Sequence, residues 1–272
     1  GRTVWISWTA TLEGRCSMTE RRPIGLLHCG LGHAKRWRPF LKAMGEQYRP
    51  IPIELPGHGL APDWDEDREF ADQAVEIALD ALPTEPIPLV AHSFGAVVAL
   101  RIALERPYRI SSLALIEPVL FAAVKGRWSF DKAQEVQTTV DRKVAAAEFA
   151  VAARDFHAAW GDGRPWAELP MEQRSYMMDR IRLISAGRSF LFDDRSDLLR
   201  PGRLEGLEMP VTFLDGGESH PAIAEIIEAI GDRMPRAEWI TVPGAGHMVP
   251  VTHPGLVADA LRDRLTWDAD PA

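Results

Sequence analysis

From Ile24 onward, short apolar runs of strand length alternate with longer segments of helical periodicity, which restricts the chain to βαβ units built around a mostly parallel sheet. Strands are expected at 24–28, 48–54, 87–92, 112–116, 211–215 and 238–242, the second weakened by Pro50 and Pro52. Helical patterns fill 37–44, 68–82, 94–105, 222–234 and 256–265. After Glu117-Pro118 the text changes character. It becomes helical and rich in Ala, Arg, Trp and Met, with no convincing strand until Val211. The expectation is an α/β core formed by 24–119 and 207–268, a helical cap inserted at 120–206, and an N-terminal extension over 1–23.

A chain of 272 residues with 46% hydrophobic content can bury the core of one large domain. Its net charge of −8 offers nothing to neutralise phosphates, so nucleic acid and anionic membrane are disfavoured as partners and a small-molecule substrate is expected. Cys16 and Cys29 are too few for a disulfide framework and lack metal-ligand spacing, so no metal or other cofactor is called for. The apolar patch Val4-Trp5-Ile6 meets Glu13 and Arg15 before it can form a signal-peptide core, and no later run approaches about 18 apolar residues. These features point to a soluble, cytoplasmic protein.

Ser93 lies where a buried strand gives way to an Ala- and Val-rich helix, with Ala91 two residues before it and Gly95 two after. Small neighbours let such a serine occupy a tight strand-to-helix turn on which larger side chains would collide, and the N–H groups at the helix start face charge developing near its hydroxyl. Serine is also a favoured helix N-cap, so the pattern alone leaves that alternative open. A serine hydroxyl needs a fixed base, and His247 stands late in the chain in the loop Pro243-Gly244-Ala245-Gly246-His247. His92 is expected to pack or line on the far side of the strand, and His253, before Pro254 at a helix start, has no assigned role.

Several motifs stand in order: His28-Cys29-Gly30-Leu31-Gly32, Leu55-Pro56-Gly57-His58-Gly59, the Ser93 turn, and Gly246-His247. In this set and order the chain resembles the α/β-hydrolase superfamily from Ile24 onward. The resemblance implies an oxyanion hole made by the N–H groups of Phe94 and Gly30. Cys29 stands where glycine is usual, which makes Leu31 the second candidate donor. A thiol nucleophile at Cys29 is disfavoured, since a small buried thiol is the commoner fate.

The acid that should orient His247 is absent from its usual place in the superfamily, a Gly-x-x-Asp position after the strand at 211–215. Counting three from Gly216 gives Ser219, and from Gly217 gives His220. Glu117, at the carboxyl end of the preceding strand, is one strand spacing of about 4.8 Å away and becomes the first choice. The run Leu115 to Phe121 and the ending Gly246-His247-Met248 through Pro254 also look like a subgroup of uncharacterised hydrolases. Glu218 is the second choice and Asp215 the third.

A serine rather than a carboxylate at the turn favours ester or thioester hydrolysis through an acyl-enzyme, as in carboxylesterases. A lyase or carbon–carbon bond hydrolase using the same triad is the alternative, and a non-catalytic binding module is a further one. Trp128, Trp160 and Trp166 in the cap are expected to line an apolar pocket, although a helical cap needs aromatic residues simply to pack. Charged residues between Asp155 and Asp162 and between Arg188 and Arg195 could meet a polar substrate group.

Overall fold

A computed structural model describes residues 21–267. Its six strands are β1 (Arg22–Leu27), β2 (Tyr48–Ile53), β3 (Ile87–His92), β4 (Ile110–Ile116), β5 (Val211–Gly216) and β6 (Ala237–Val242). All pair in parallel in the order β2-β1-β3-β4-β5-β6. The strand β1 begins at Arg22, so Arg22 and Pro23 belong to the sheet and not to an extension; Cys16 and the rest of 1–20 lie outside the described residues.

Burial explains which sequence became which strand. Every residue of β3 and β4 is buried, because helices cover both faces of a parallel sheet and no polar side is needed. The proline-containing β2 sits at the sheet edge, where a missing N–H costs no ladder bond on the outer side. Pro88 near the start of β3 coincides with a register shift against β4.

The helices are α1 (Arg38–Met44), α2 (Phe70–Ala81), α3 (Phe94–Glu105), α4 (Trp128–Ala145), α5 (Phe149–Trp160), α6 (Met171–Arg180), α7 (Arg182–Ala186), α8 (Arg188–Phe192), α9 (Pro221–Gly231), α10 (Val249–Thr252) and α11 (Pro254–Leu261). Strand side chains alternate between the two faces. Leu89 and Ala91 join Leu115 and Phe213 under α2, α3 and α9, while Val90 joins Leu26, Ile116 and Leu214 under α1 and α11. The described residues between β4 and β5 contain helices and short 3₁₀ turns but no strand. From this segment Phe192 stacks on Phe121 and meets Phe130 edge-on, all three joining the main core, and a smaller cluster gathers Val140, Ala152, Met177 and Ile181 around Leu31. Among the described residues, no helix is long and apolar enough to cross a membrane.

The strand order fixes where a ligand can enter. From β1 the chain steps outward to β2 and then returns to β3 on the opposite flank of β1, and such a reversal opens a crevice at the carboxyl ends of the two strands. The loops carrying Gly30 and Ser93 leave the sheet there.

Candidate active site

Ser93 has φ 57° and ψ −119°, a conformation that costs on the order of 1–3 kcal/mol. Its N–H donates to the Ile116 carbonyl and its own carbonyl accepts from Ala96, which together hold the strained turn. The side chain makes no capping hydrogen bond to α3, so the hydroxyl is not spent as a helix cap. A Cβ on Gly95 would run into the carbonyl oxygens of Leu27 and His28 where β1 ends, so a glycine at 95 lets α3 pack close against β1.

His247 reaches in from the loop after β6, with Nε2 2.9 Å from Ser93 Oγ and Nδ1 2.8 Å from Glu117 Oε2. A carboxylate only accepts, so Nδ1 carries the proton and the lone pair of Nε2 faces the serine hydroxyl. Glu117 is wholly buried and itself has φ 52°. Its Oε1 accepts from the Gly216 N–H and from Ser219 Oγ, each at 2.6 Å. Backbone strain at residues 93 and 117 therefore turns both side chains off adjacent strand ends toward one imidazole.

The alternative acids lie elsewhere. Glu218 is exposed, and Asp215 Oδ1 accepts from Trp239 Nε1 at 2.9 Å, while His247 Nδ1 is taken by Glu117. Burial raises the Asp215 carboxyl above its usual range despite hydrogen bonds from Trp239 and Thr241, and the nearby Glu117 charge adds to the rise.

The N–H groups of Phe94 and Gly30 have no partner among the described residues, and both residues border the same cavity as Ser93. Phe94 is the first residue of α3, where N–H groups are left free by helix geometry. The alternative donor Leu31 is excluded, because its N–H is committed to His58 Nε2 at 3.0 Å. His28 Nε2 in turn accepts from the Leu55 N–H at 3.0 Å. Each histidine thus pins the other's loop, and burial pushes His58 down to about 3, keeping it neutral and able to accept. Burial pushes the Cys29 thiol up to about 11, against the pull of Arg36, which leaves it protonated.

Sequence reasoning gave no function to His92, Ser219, His58 or Gln137. His92 Nε2 donates to the His247 carbonyl at 2.8 Å and so fixes the backbone of the base. Burial and the neighbouring His247 hold His92 well below its usual value. Ser219 was recognisable only as one of two residues, with His220, standing where the missing aspartate was sought.

A cavity of about 590 Å³, counting its open mouth, lies over Ser93 and His247. Its floor comes from core residues including Leu55 and Phe94, and its roof from Phe121, Gln137, Phe156, Trp160 and Phe192. Trp160 also meets the His247 ring edge-on, with centroids 5.1 Å apart. Trp128 does not line the cavity: it is 65% exposed at the start of α4, beside Lys132. Trp166 packs against His157 in the 3₁₀ turn after α5 and is likewise outside it. The charged residues considered for polar recognition are already engaged. Arg154 holds Asp155, Arg164 holds Asp162, Asp141 holds Arg188, and Glu69 holds Arg195.

Residues 26–260 match the model of the alpha/beta hydrolase family. The chain belongs to that family. Among curated relatives, (E)-2-((N-methylformamido)methylene)succinate hydrolase of Acinetobacter baylyi is 21% identical over 89% of this chain and 90% of its own length. Lipase LipV of Mycobacterium tuberculosis is 26% identical over 88% and 91%. A solved hydrolase from Pseudomonas aeruginosa superposes with a TM-score of 0.70 at 21% identity, covering 90% of this chain and 89% of that one. The 2-hydroxy-6-oxo-6-phenylhexa-2,4-dienoate hydrolase from a Rhodococcus species also gives 0.70, at 17% identity, covering 89% and 90%. These structures share the fold, and the relatives place the family member described here among hydrolases.

Proposed function

We propose that this protein is a serine hydrolase that cleaves a carboxylic ester or thioester through an acyl-enzyme on Ser93. The observation that carries the reading is the continuous relay from Ser93 Oγ to His247 Nε2 and from His247 Nδ1 to Glu117 Oε2. His247 takes the Ser93 proton as Oγ attacks the acyl carbon, and the resulting imidazolium is stabilised by Glu117. The negative charge on the former carbonyl oxygen is met by the free N–H groups of Gly30 and Phe94. His247 then returns the proton to the leaving group, and a water activated by the same imidazole hydrolyses the acyl-enzyme.

The apolar walls of the cavity suit an acyl chain better than a charged one. The named relatives span a lipase and a succinate-derivative hydrolase, so the acyl group is read from this chain's own cavity and not from theirs.

The test pairs labelling with turnover. A fluorophosphonate should modify Ser93 alone, p-nitrophenyl esters of short acids should be hydrolysed, and both should vanish in Ser93→Ala. Labelling without turnover of any ester would replace this reading with a specialised lyase or carbon–carbon bond hydrolase. Absence of labelling would point to a binding module.

A further inference from the structure

The roof of the cavity carries one polar side chain that the chemistry at Ser93 does not use. Along α4 the buried positions Phe130, Ala133, Gln137 and Val140 follow each other at intervals of three and four, the spacing of an apolar stripe facing the core. Gln137 interrupts that stripe and is only 7% exposed.

Its orientation is fixed. Nε2 donates to Asp141 Oδ1 at 2.8 Å and to the Ile184 carbonyl at 3.4 Å. Asp141 also accepts from Ser185 Oγ at 2.7 Å and from Arg188 at 2.8 Å. Turning the amide over would set its oxygen against two acceptors, so the amino group must face Asp141 and Ile184. Both of its hydrogens are then used. The remaining Oε1 has no partner among the described residues and is not sealed within protein, and the residue borders the cavity that contains Ser93.

We propose that Gln137 Oε1 is a substrate-recognition acceptor, and that the preferred acyl group carries a hydrogen-bond donor, a hydroxyl or an amide N–H, on an otherwise apolar chain. The proposal rests on the acyl-enzyme reading above. A fixed acceptor in an otherwise apolar cavity wall discriminates because a substrate without the donor displaces water and leaves the oxygen unpaired. Apolar walls alone would reject that same polar group.

The experiment measures kcat/KM for p-nitrophenyl butanoate, hexanoate and octanoate against their 3-hydroxy counterparts, and against the terminal-hydroxy forms of the two longer acids. The wild type should favour at least one hydroxylated ester by on the order of ten- to hundredfold over its parent. Gln137→Met, which keeps length and loses the acceptor, should erase that preference, bringing the ratio of kcat/KM for hydroxylated and parent esters to about one. A wild type with no preference at any position overturns the proposal without need of a variant, and so does a preference that survives in Gln137→Met. If neither parent nor hydroxylated esters are turned over and Ser93 is not labelled, the acyl-enzyme reading itself has failed.

Discussion

Ser219 donates its hydroxyl to Glu117 Oε1 at 2.6 Å, from one of the two positions after β5 at which the resemblance led an acid to be expected. The carboxylate stands at the end of β4, and its hydroxyl donor stands on the loop after β5. An aspartate at 219 would set a second negative charge against a wholly buried Glu117, which is costly in a low-dielectric interior. Glu117→Gln removes the charge that stabilises the imidazolium and permits the wrong tautomer, so kcat should fall by about 10³ to 10⁴ with the fold intact. Steady-state kinetics beside Glu218→Gln checks this: the second variant should match the wild type, and near-normal turnover in Glu117→Gln would remove Glu117 from the relay.

Ser219→Ala takes one of three hydrogen bonds from the Glu117 carboxylate while leaving those from Gly216 and His247. The carboxylate is then held less firmly against His247, and kcat should fall by roughly tenfold with KM nearly unchanged. Steady-state kinetics identical to the wild type would show Ser219 to be filler.

His58 gives stability a pH dependence with a definite sign. Its folded value of about 3 lies below the ordinary 6.5, so between those values the unfolded chain binds the extra proton. Stability is complete above 6.5 and falls as pH drops toward 3, by up to about 1.4 kcal/mol per pH unit from this one residue. His92, also lowered, acts in the same direction. Urea unfolding at pH 7.5, 6 and 5 should show this decline, and it should be shallower in His58→Leu. That variant should also be less stable at pH 7.5 by about 1–3 kcal/mol, because the Leu31 N–H and the Pro56 carbonyl lose their partner.

Two tryptophans of the helical segment should respond oppositely. Trp160→Phe opens space against the His247 ring and should change KM and the preferred acyl length in an ester series. Trp128→Ala, on an exposed helix start, should stay within about 0.5 kcal/mol of wild-type stability and leave kinetics unchanged. Equal effects from both would mean that the cavity has been drawn in the wrong place.

Gly95→Val should be the most disruptive change at the Ser93 turn. The added side chain meets the backbone carbonyls of Leu27 and His28, which cannot rotate aside, so α3 must separate from β1. Lower thermal stability should accompany lost labelling of Ser93. A stable, fully labelled variant would show that the two elements have slack between them.

Local patterns made the strands, the main helices flanking the sheet and the Ser93 turn legible, since each is written within a few consecutive residues, whereas the inserted segment was legible only as helical. Proline in β2 read as weakness, and the edge position explains why it is tolerated there. The tryptophans were harder: Trp128, Trp160 and Trp166 look alike in the sequence, and only helix rotation and packing put Trp160 beside His247 and the others elsewhere. Gln137 resembled any glutamine in a polar helix until Asp141 and Ile184 fixed the direction of its amide.

By itself the sequence determined a parallel α/β sheet with a serine at a strand-to-helix junction, because periodicity and small residues at fixed offsets are properties of adjacent positions. Which carboxylate faces His247 was decided only by the tertiary structure. Glu117 and His247 are 130 residues apart, and the strand order alone brings the ends of β4, β5 and β6 to one edge of the sheet. There the Gly216 N–H and the Ser219 hydroxyl could converge on Glu117, and no local pattern encodes that meeting of separate loops.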